Sequence, residues 1–281
     1  KIKVAFVSTN SISQGEQVGI LWNELFSKYH IKIHFAHRTF KWSNEARGKA
    51  AVHVVIIGFA PYDINNKTIF EYEDIKGAPH EIKVKNINPF LFLFKDNTLA
   101  NRKTSICKLP EMNYGSMPID EGHLILTDEE KEEAIKNEPF INVAIRRYTG
   151  GDEFINNKKR WCLWLQDIDP VLLKKSNFII DRVEKTKRFR LSSKRTATNK
   201  LADQPMLFGE IRQPTTNYII IPKVSSESRK YIPIGFFDGN SIAGDTCMVV
   251  PDETIFNFGV LTSAMHMAWV KYVCGRLESR F

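Results

Sequence analysis

Residues 51–59, Ala-Val-His-Val-Val-Ile-Ile-Gly-Phe, are apolar at every position except His53 and Gly58. A strand with one wet face alternates polar and apolar residues, so a run that is apolar on both faces reads as a strand buried inside an α/β sheet. Pro61 ends it. Working backwards, residues 31–35 give a second strand, and residues 3–7, Lys-Val-Ala-Phe-Val, a third, followed by the polar turn Ser8-Thr9-Asn10-Ser11. Between them Val18, Leu21, Trp22, Leu25 and Phe26 recur at three- and four-residue spacing, one apolar stripe of a helix lying on the sheet. Strand, helix, strand, loop, strand is the closing part of an α/β sheet, and three strands do not complete one. The remainder is expected upstream. A chain that opens on Lys1 with a strand, and with no signal-peptide pattern, reads as a fragment.

Downstream the pattern changes. Residues 61–115 mix Asn, Lys and Pro with Phe90-Leu91-Phe92-Leu93-Phe94 and keep no clean period, which reads as a connector without a long element. Thr127-Asp128-Glu129-Glu130 opens a helix, with a capping hydroxyl and acids near the positive end of the dipole, and Pro139 stops it. Asp169-Pro170 opens another, expected to run through Ile180 and Val183 toward Phe189. Strands are expected over 218–221, 231–237 and 246–250, and a last helix over 261–277. The second half is therefore a mixed α+β domain.

Composition sets outer limits. The 281 residues are 43% hydrophobic and 11% aromatic, enough for two folded domains with real cores. Four widely spaced cysteines without a CxxC pair speak against a zinc site or a disulfide framework and fit a reducing cytoplasm. The longest apolar run falls far short of the ~20 residues that span a bilayer.

The net charge of +8 favours a polyanionic partner, and it is concentrated: residues 182–230 hold twelve Lys or Arg against four Asp or Glu. Arg182, Lys185, Lys187, Arg188, Arg190, Lys194 and Arg195 are the densest part. On a continuous helix Lys185, Arg188 and Arg195 share a face, and Lys187, Arg190 and Lys194 form a neighbouring row. Such a stripe neutralises phosphates and releases counterions. The stretch from Lys194 to Lys200, with Thr198 and Asn199, has a loop-like polar mix suited to a groove. Glu210, Arg212 and Gln213 add donors and acceptors of the kind that read base edges. Ser225, Ser226, Arg229 and Lys230 precede a strand and suit a phosphate. A solvated helix face, a plain surface loop and a turn cap are the competing readings of these three groups.

Longer strings carry a resemblance. Ser8-Thr9-Asn10-Ser11-Ile12-Ser13-Gln14-Gly15-Glu16-Gln17-Val18 and His37-Arg38-Thr39-Phe40-Lys41-Trp42-Ser43-Asn44-Glu45-Ala46 resemble late methyltransferase motifs of the MmeI-like restriction-modification enzymes. Gly115-Ser116-Met117-Pro118-Ile119-Asp120-Glu121-Gly122, Arg160-Trp161-Cys162-Leu163-Trp164, Ser225-Ser226-Glu227-Ser228-Arg229-Lys230 and Phe258-Gly259-Val260-Leu261-Thr262-Ser263 resemble landmarks of that family's target-recognition region. The family joins an endonuclease, a helical connector, a class I adenine-N6 methyltransferase and a target-recognition domain. The resemblance implies the end of a Rossmann-like methyltransferase sheet over residues 1–60, a connector over 61–115, a target-recognition domain over 116–258 and a C-terminal helix over 259–281 packing on the rest.

It also implies duplex DNA as partner and an upstream methyltransferase portion in cis; an upstream nuclease is left open by these residues. S-adenosylmethionine is implied for the parent enzyme, and none is expected in this fragment, which lacks a Gly-rich cofactor loop after a strand and an Asn-Pro-Pro-aromatic string. Asn88-Pro89-Phe90 has one proline too few and reads as a turn. An enzyme that modifies adenine extrudes the base and stacks it on a ring. The resemblance assigns that role to Phe40 or Trp42, placed in a polar loop, with Phe40 preferred; packing at the sheet edge is the alternative. Lys41, Arg47 and Lys49 are phosphate candidates. No catalytic residue and no metal ligand is assigned. The competing classes are a complete RNA methyltransferase or hydrolase, and a protein-interaction module without enzymatic activity.

Overall fold

The computed structural model describes residues 2–42, 52–74, 76–95, 98–99, 102, 104–107, 109–226, 228–252 and 254–275. Arg47 and Lys49 lie outside them. The chain divides into two compact units: Lys1–Cys107 with Ser226–Ser228 and Met265–Phe281, and Lys108–Ser225 with Arg229–Ala264. No helix among the described residues is long and apolar enough to cross a membrane.

In the first unit, strand β1 (Val4–Thr9), helix α1 (Glu16–Tyr29), and strands β2 (Lys32–Trp42), β3 (Val52–Ala60), β4 (Lys67–Glu71) and β5 (His80–Val84) build a five-stranded sheet in the order β1-β3-β2-β4-β5. β3 lies antiparallel between β1 and β2, so those two run parallel and need the helical crossover that α1 supplies. Val18 and Trp22 of the apolar stripe are buried with Ile33, Ala36, Val55, Ile57 and Ile69, and the Trp22 indole donates to the Ile12 carbonyl at 2.6 Å.

The sheet departs from the sequence reading in two ways. β2 continues to Trp42, well past residue 35, because irregularities between Ile33 and Phe35 and between His37 and Phe40 each insert one extra residue opposite β3. Such bulges break the period-2 pattern and turn the following side chains to the other face. Phe40 and Trp42 are thus strand residues and not loop residues. β4 and β5 come from the stretch read as a connector; Lys67-Thr-Ile-Phe-Glu and His80-Glu-Ile-Lys-Val are too short and too polar to show a period. The Asn88-Pro89 string is a turn, the Asn88 Oδ1 accepting from the amides of Phe90 and Phe92 at 3.1 and 3.0 Å.

Gly58 is where the sheet admits no side chain. A Cβ there would sit 2.0 Å from Cε1 of Phe35, its cross-strand partner. Gly58→Ala is expected to force the Phe35 ring away and cost about 1–3 kcal/mol. A urea titration checks it, with the midpoint lowered and the slope unchanged.

The second unit contains β6 (Asn113–Tyr114), β7 (Ile125–Leu126), α2 (Asp128–Asn137), β8 (Ile145–Thr149), α3 (Gly151–Asn156), β9 (Trp161–Leu163), α4 (Pro170–Lys175), α5 (Asn177–Ser192), α6 (Thr196–Lys200), β10 (Tyr218–Pro222), β11 (Gly235–Phe237), β12 (Ile242–Ala243), β13 (Cys247–Pro251) and α7 (Ile255–Leu261). Two four-stranded sheets result, β11-β10-β13-β6 and β12-β8-β9-β7. β10 is buried on both faces: Tyr218 and Ile220 pack with Phe154 and Phe237, while Ile219 and Ile221 pack with Phe258 and Leu261. Trp161 and Trp164 pack against the core cluster that holds Leu124, Leu126, Leu163 and Ile179. Thr127 caps α2 through a complete capping box with Glu130.

The helix expected to run from Pro170 toward Phe189 is two helices. Ser176, fully buried, accepts from the amide of Ile179 at 3.0 Å and starts α5 afresh. The last helix is likewise divided: α7 ends at Leu261, the Thr262 hydroxyl donates back to the Phe258 carbonyl at 2.7 Å, and α8 (Ala264–Val273) follows. Of the strand expected over 231–237, only Gly235–Phe237 pairs; Pro233 has no amide to give a neighbour. Residues 276–281 lie outside the described part.

Candidate nucleic-acid interface

The basic segment is organised by a residue that does not face solvent. Arg190 is 1% exposed on the inner stripe of α5 with Ile179 and Thr186. Its five N–H donors all end on backbone carbonyls: Nε on Ile119 at 2.9 Å, Nη1 on Leu201 and Gln204 at 2.9 and 3.1 Å, and Nη2 on Pro118 and Leu207 at 2.8 and 2.7 Å. A guanidinium has five donors and no more, so none is left for a phosphate. The placement of Arg190 in a DNA-facing row is corrected: it is a buried tie between α5, residues 118–119 and the segment 201–207.

Arg182 is also structural, donating to the carbonyls of His123 and Ile125 and to Glu130 at 2.6 Å. Burial works to raise the Glu130 pKa, but the Thr127 amide and Arg182 outweigh it and hold it below the ordinary glutamate value.

The continuous basic face is corrected as well. α5 ends at Ser192, and Ser193 is extended (φ −68°, ψ 142°), so Lys194 and Arg195 leave the helical rows. The Asn199 amide nitrogen donates to the carbonyls of Arg190, Leu191 and Ser193 at 2.8, 3.1 and 2.9 Å. These carbonyls lie at or just past the C-terminus of α5, where backbone acceptors outnumber intrahelical donors, so this nitrogen is committed to closing the turn. Lys185 pairs with Asp181 one turn back at 2.7 Å. Lys187, Arg188, Lys194, Arg195 and Lys200 are exposed, with Thr198 half-buried beside them. None of these five cations forms an ion pair among the described residues.

The segment that Arg190 ties down leads into Glu210 and Arg212. Met117 and Glu210 exchange backbone hydrogen bonds at 2.9 and 3.0 Å. The Arg212 amide donates to Ser116 Oγ at 3.0 Å, and its guanidinium donates to the Gly115 carbonyl at 3.2 Å and pairs with Glu210. A partly exposed carboxylate and guanidinium thus stand side by side on a backbone held from two directions. Gly115 itself is pressed against Gly244, whose carbonyl oxygen would lie 2.2 Å from a Cβ. Two residues not singled out in the sequence join this place: Tyr114, half-exposed, has the Arg212 guanidinium 5.8 Å and the Lys223 ammonium 4.2 Å from its ring centre. The aromatic residue directly before Gly115-Ser116 was the available signal.

Gln213 is turned elsewhere. Its Nε2 donates to the Ser241 and Gly239 carbonyls and its Oε1 accepts from the Ala243 amide at 2.9 Å, so both ends hold a loop and neither is free for a base edge. Ser225 is 4% exposed and its hydroxyl has no hydrogen-bond partner among the described residues, which corrects its reading as a surface phosphate ligand. The Ser226 and Ser228 hydroxyls share a hydrogen bond at 2.8 Å; Lys230 is exposed and Arg229 half-buried.

In the first unit the bulge before Phe40 gathers rings on one face of the sheet. Phe35, His37, Phe40 and Trp42 lie opposite Gly58, Ile56, Val54 and Val52. Ile33, Ala36, Val55 and Ile57 belong to the core packed with α1. His37 stacks on Phe70 at 4.1 Å with planes 4° apart, Phe40 stacks on Tyr72 at 5.0 Å, and Trp42, 47% exposed, tilts against Phe40 at 6.3 Å. Among the described residues no group of three or more His, Cys, Asp or Glu is arranged to hold a metal.

Against known proteins, the family model "MmeI, target recognition domain" matches residues 94–281, and "MmeI, DNA-methyltransferase domain" matches residues 1–71. DNA methyltransferase A of Bacillus subtilis (strain 168) is 42% identical over 280 residues, 99% of this chain and 31% of that protein. A solved structure of the Type IIL restriction-modification enzyme MmeI in complex with DNA matches with a TM-score of 0.92 at 50% identity, over 100% of this chain and 37% of that one. The chain spans about a third of the length of these relatives.

Proposed function

Because the chain belongs to the MmeI family of restriction-modification enzymes, we propose that it is the part that recognises duplex DNA for an adenine-N6 methyltransferase. The observation that carries this reading is the match along the whole chain to a relative solved in complex with DNA. In it, Lys187, Arg188, Lys194, Arg195 and Lys200, with Arg229 and Lys230, neutralise phosphates, a role independent of sequence. Glu210 and Arg212 are the base readers: arginine offers a fork to guanine, glutamate accepts from cytosine, and both stand on a backbone too constrained to drift. Arg190 supplies that constraint without touching DNA. Phe40, or Trp42 beside it, stacks on the extruded adenine.

Methyl transfer in the parent draws on S-adenosylmethionine. The turn that follows β1 is Asn10–Ser13, closed on itself by Ser13 Oγ donating to the Asn10 carbonyl at 3.0 Å, and no Gly-rich loop follows a strand. Cofactor binding and the catalytic string are therefore assigned to residues upstream in the parent, and the part left to this chain is to bind, orient and hold the DNA.

The 281-residue chain is expected to bind a fluorescently labelled duplex in an anisotropy titration, with affinity that falls steeply between about 50 and 200 mM salt. Absence of binding at low ionic strength, or binding indifferent to salt, would sink the reading.

A further inference from the structure

We propose that Tyr72 and His37 act as a backing pair that fixes the plane of Phe40 for the extruded adenine. This deepens, and rests on, the role proposed above for Phe40. Tyr72 directly follows β4, which runs parallel to β2 with Phe70 opposite His37; two residues further on, the Tyr72 ring comes against Phe40. The two rings lie 5.0 Å apart with planes 21° from parallel. The Tyr72 hydroxyl is itself held, 2.8 Å from His37 Nδ1, and the imidazole is held in turn, flat on Phe70.

Phe70 therefore supports His37, and His37 supports Phe40 both through Tyr72 and directly, its ring edge-on to Phe40 at 6.2 Å. Burial lowers the His37 pKa and raises that of Tyr72, so both groups stay neutral near pH 7 and the hydrogen bond between them persists. A ring near the end of a strand is otherwise free to turn between rotamers, and a stacking partner gains most from a ring whose orientation is already set. One face of Phe40 is taken by Tyr72, which assigns the base to the other. Tyr72 and His37 make no contact with the base in this scheme; they are positioning residues.

The test uses the full-length parent enzyme and a duplex bearing its mapped site, with adenine for methylation kinetics and 2-aminopurine in its place for emission. Phe40→Ala is expected to lower kcat about tenfold to a hundredfold, the loss of a base–ring stack, and to raise 2-aminopurine emission because the extruded base loses its quenching ring. Tyr72→Ala is expected to lower kcat about threefold to tenfold, with KM for DNA unchanged and a partial rise in emission. Tyr72→Phe keeps the ring and loses only the bond to His37, for a loss of about twofold; it remains informative if Tyr72→Ala fails to fold. If Phe40→Ala is impaired while both Tyr72 variants match the unaltered enzyme in kcat and emission, the backing pair is overturned and the stacking role stands. If Phe40→Ala itself is unimpaired in both readouts, the stacking role falls and the pair with it.

Discussion

Replacing Arg190 by Ala is expected to destabilise the second unit by about 3–5 kcal/mol, from two buried carbonyls left without a donor at about 1–3 kcal/mol each and from the lost volume of a buried side chain. The removed guanidinium leaves the carbonyls of Ile119 and Leu207 without the donors they hold now, while those of Pro118, Leu201 and Gln204 each lose one donor and keep the amides of Gly209, Gln204 and Leu207. Each buried acceptor so exposed carries its own desolvation penalty. Arg190→Lys is expected to recover only part of the loss, since an ammonium has three donors and no planar fork. In a thermal melt the unfolding midpoint of Arg190→Ala should drop by roughly 6 °C or more. A phosphate contact behaves in the opposite way, with the melt unchanged and the salt slope reduced by about one. An unshifted melt would therefore return Arg190 to the DNA-contacting set and remove the proposed support of the Glu210–Arg212 segment.

Neutralising Lys187, Arg188, Lys194, Arg195 and Lys200 together by Gln is expected to have the reverse signature. All five are exposed, so the urea midpoint should stay close to that of the parent chain, surface changes usually lying within about 0.5 kcal/mol each. The slope of log affinity against log salt should fall by about 0.9 for each phosphate no longer neutralised, or roughly 4.5 in all, with several orders of magnitude lost at low salt. Arg212→Ala gives the contrast: about 1–3 kcal/mol lost at one base pair and little change in slope. Should the fivefold variant bind as tightly as the parent with the same slope, these cations are a solvated surface and the interface lies elsewhere.

How much of this was legible depended on the range of the cause. The β1-α1-β2 unit, β3, the capped start of α2 and the buried β10 were visible because their signals, period and capping, act within a few residues. β2 was cut short in the sequence reading because one extra residue between His37 and Phe40 hides the alternation. That placed two strand rings in a loop. The break at Ser176 was missed because one hydroxyl on one amide ends a helix without altering the apolar spacing on either side.

The sequence by itself determined the family, the sheet ending, the α+β character of the second unit and the concentration of positive charge after residue 182. Only the tertiary structure decided which of those charges meet solvent. An arginine reads the same whether water or five carbonyls surround it, and the carbonyls that claim Arg190 come from as far as 72 residues away. Local pattern fixes which elements form, whereas the partner of a long polar side chain is set by which distant segments are folded against it.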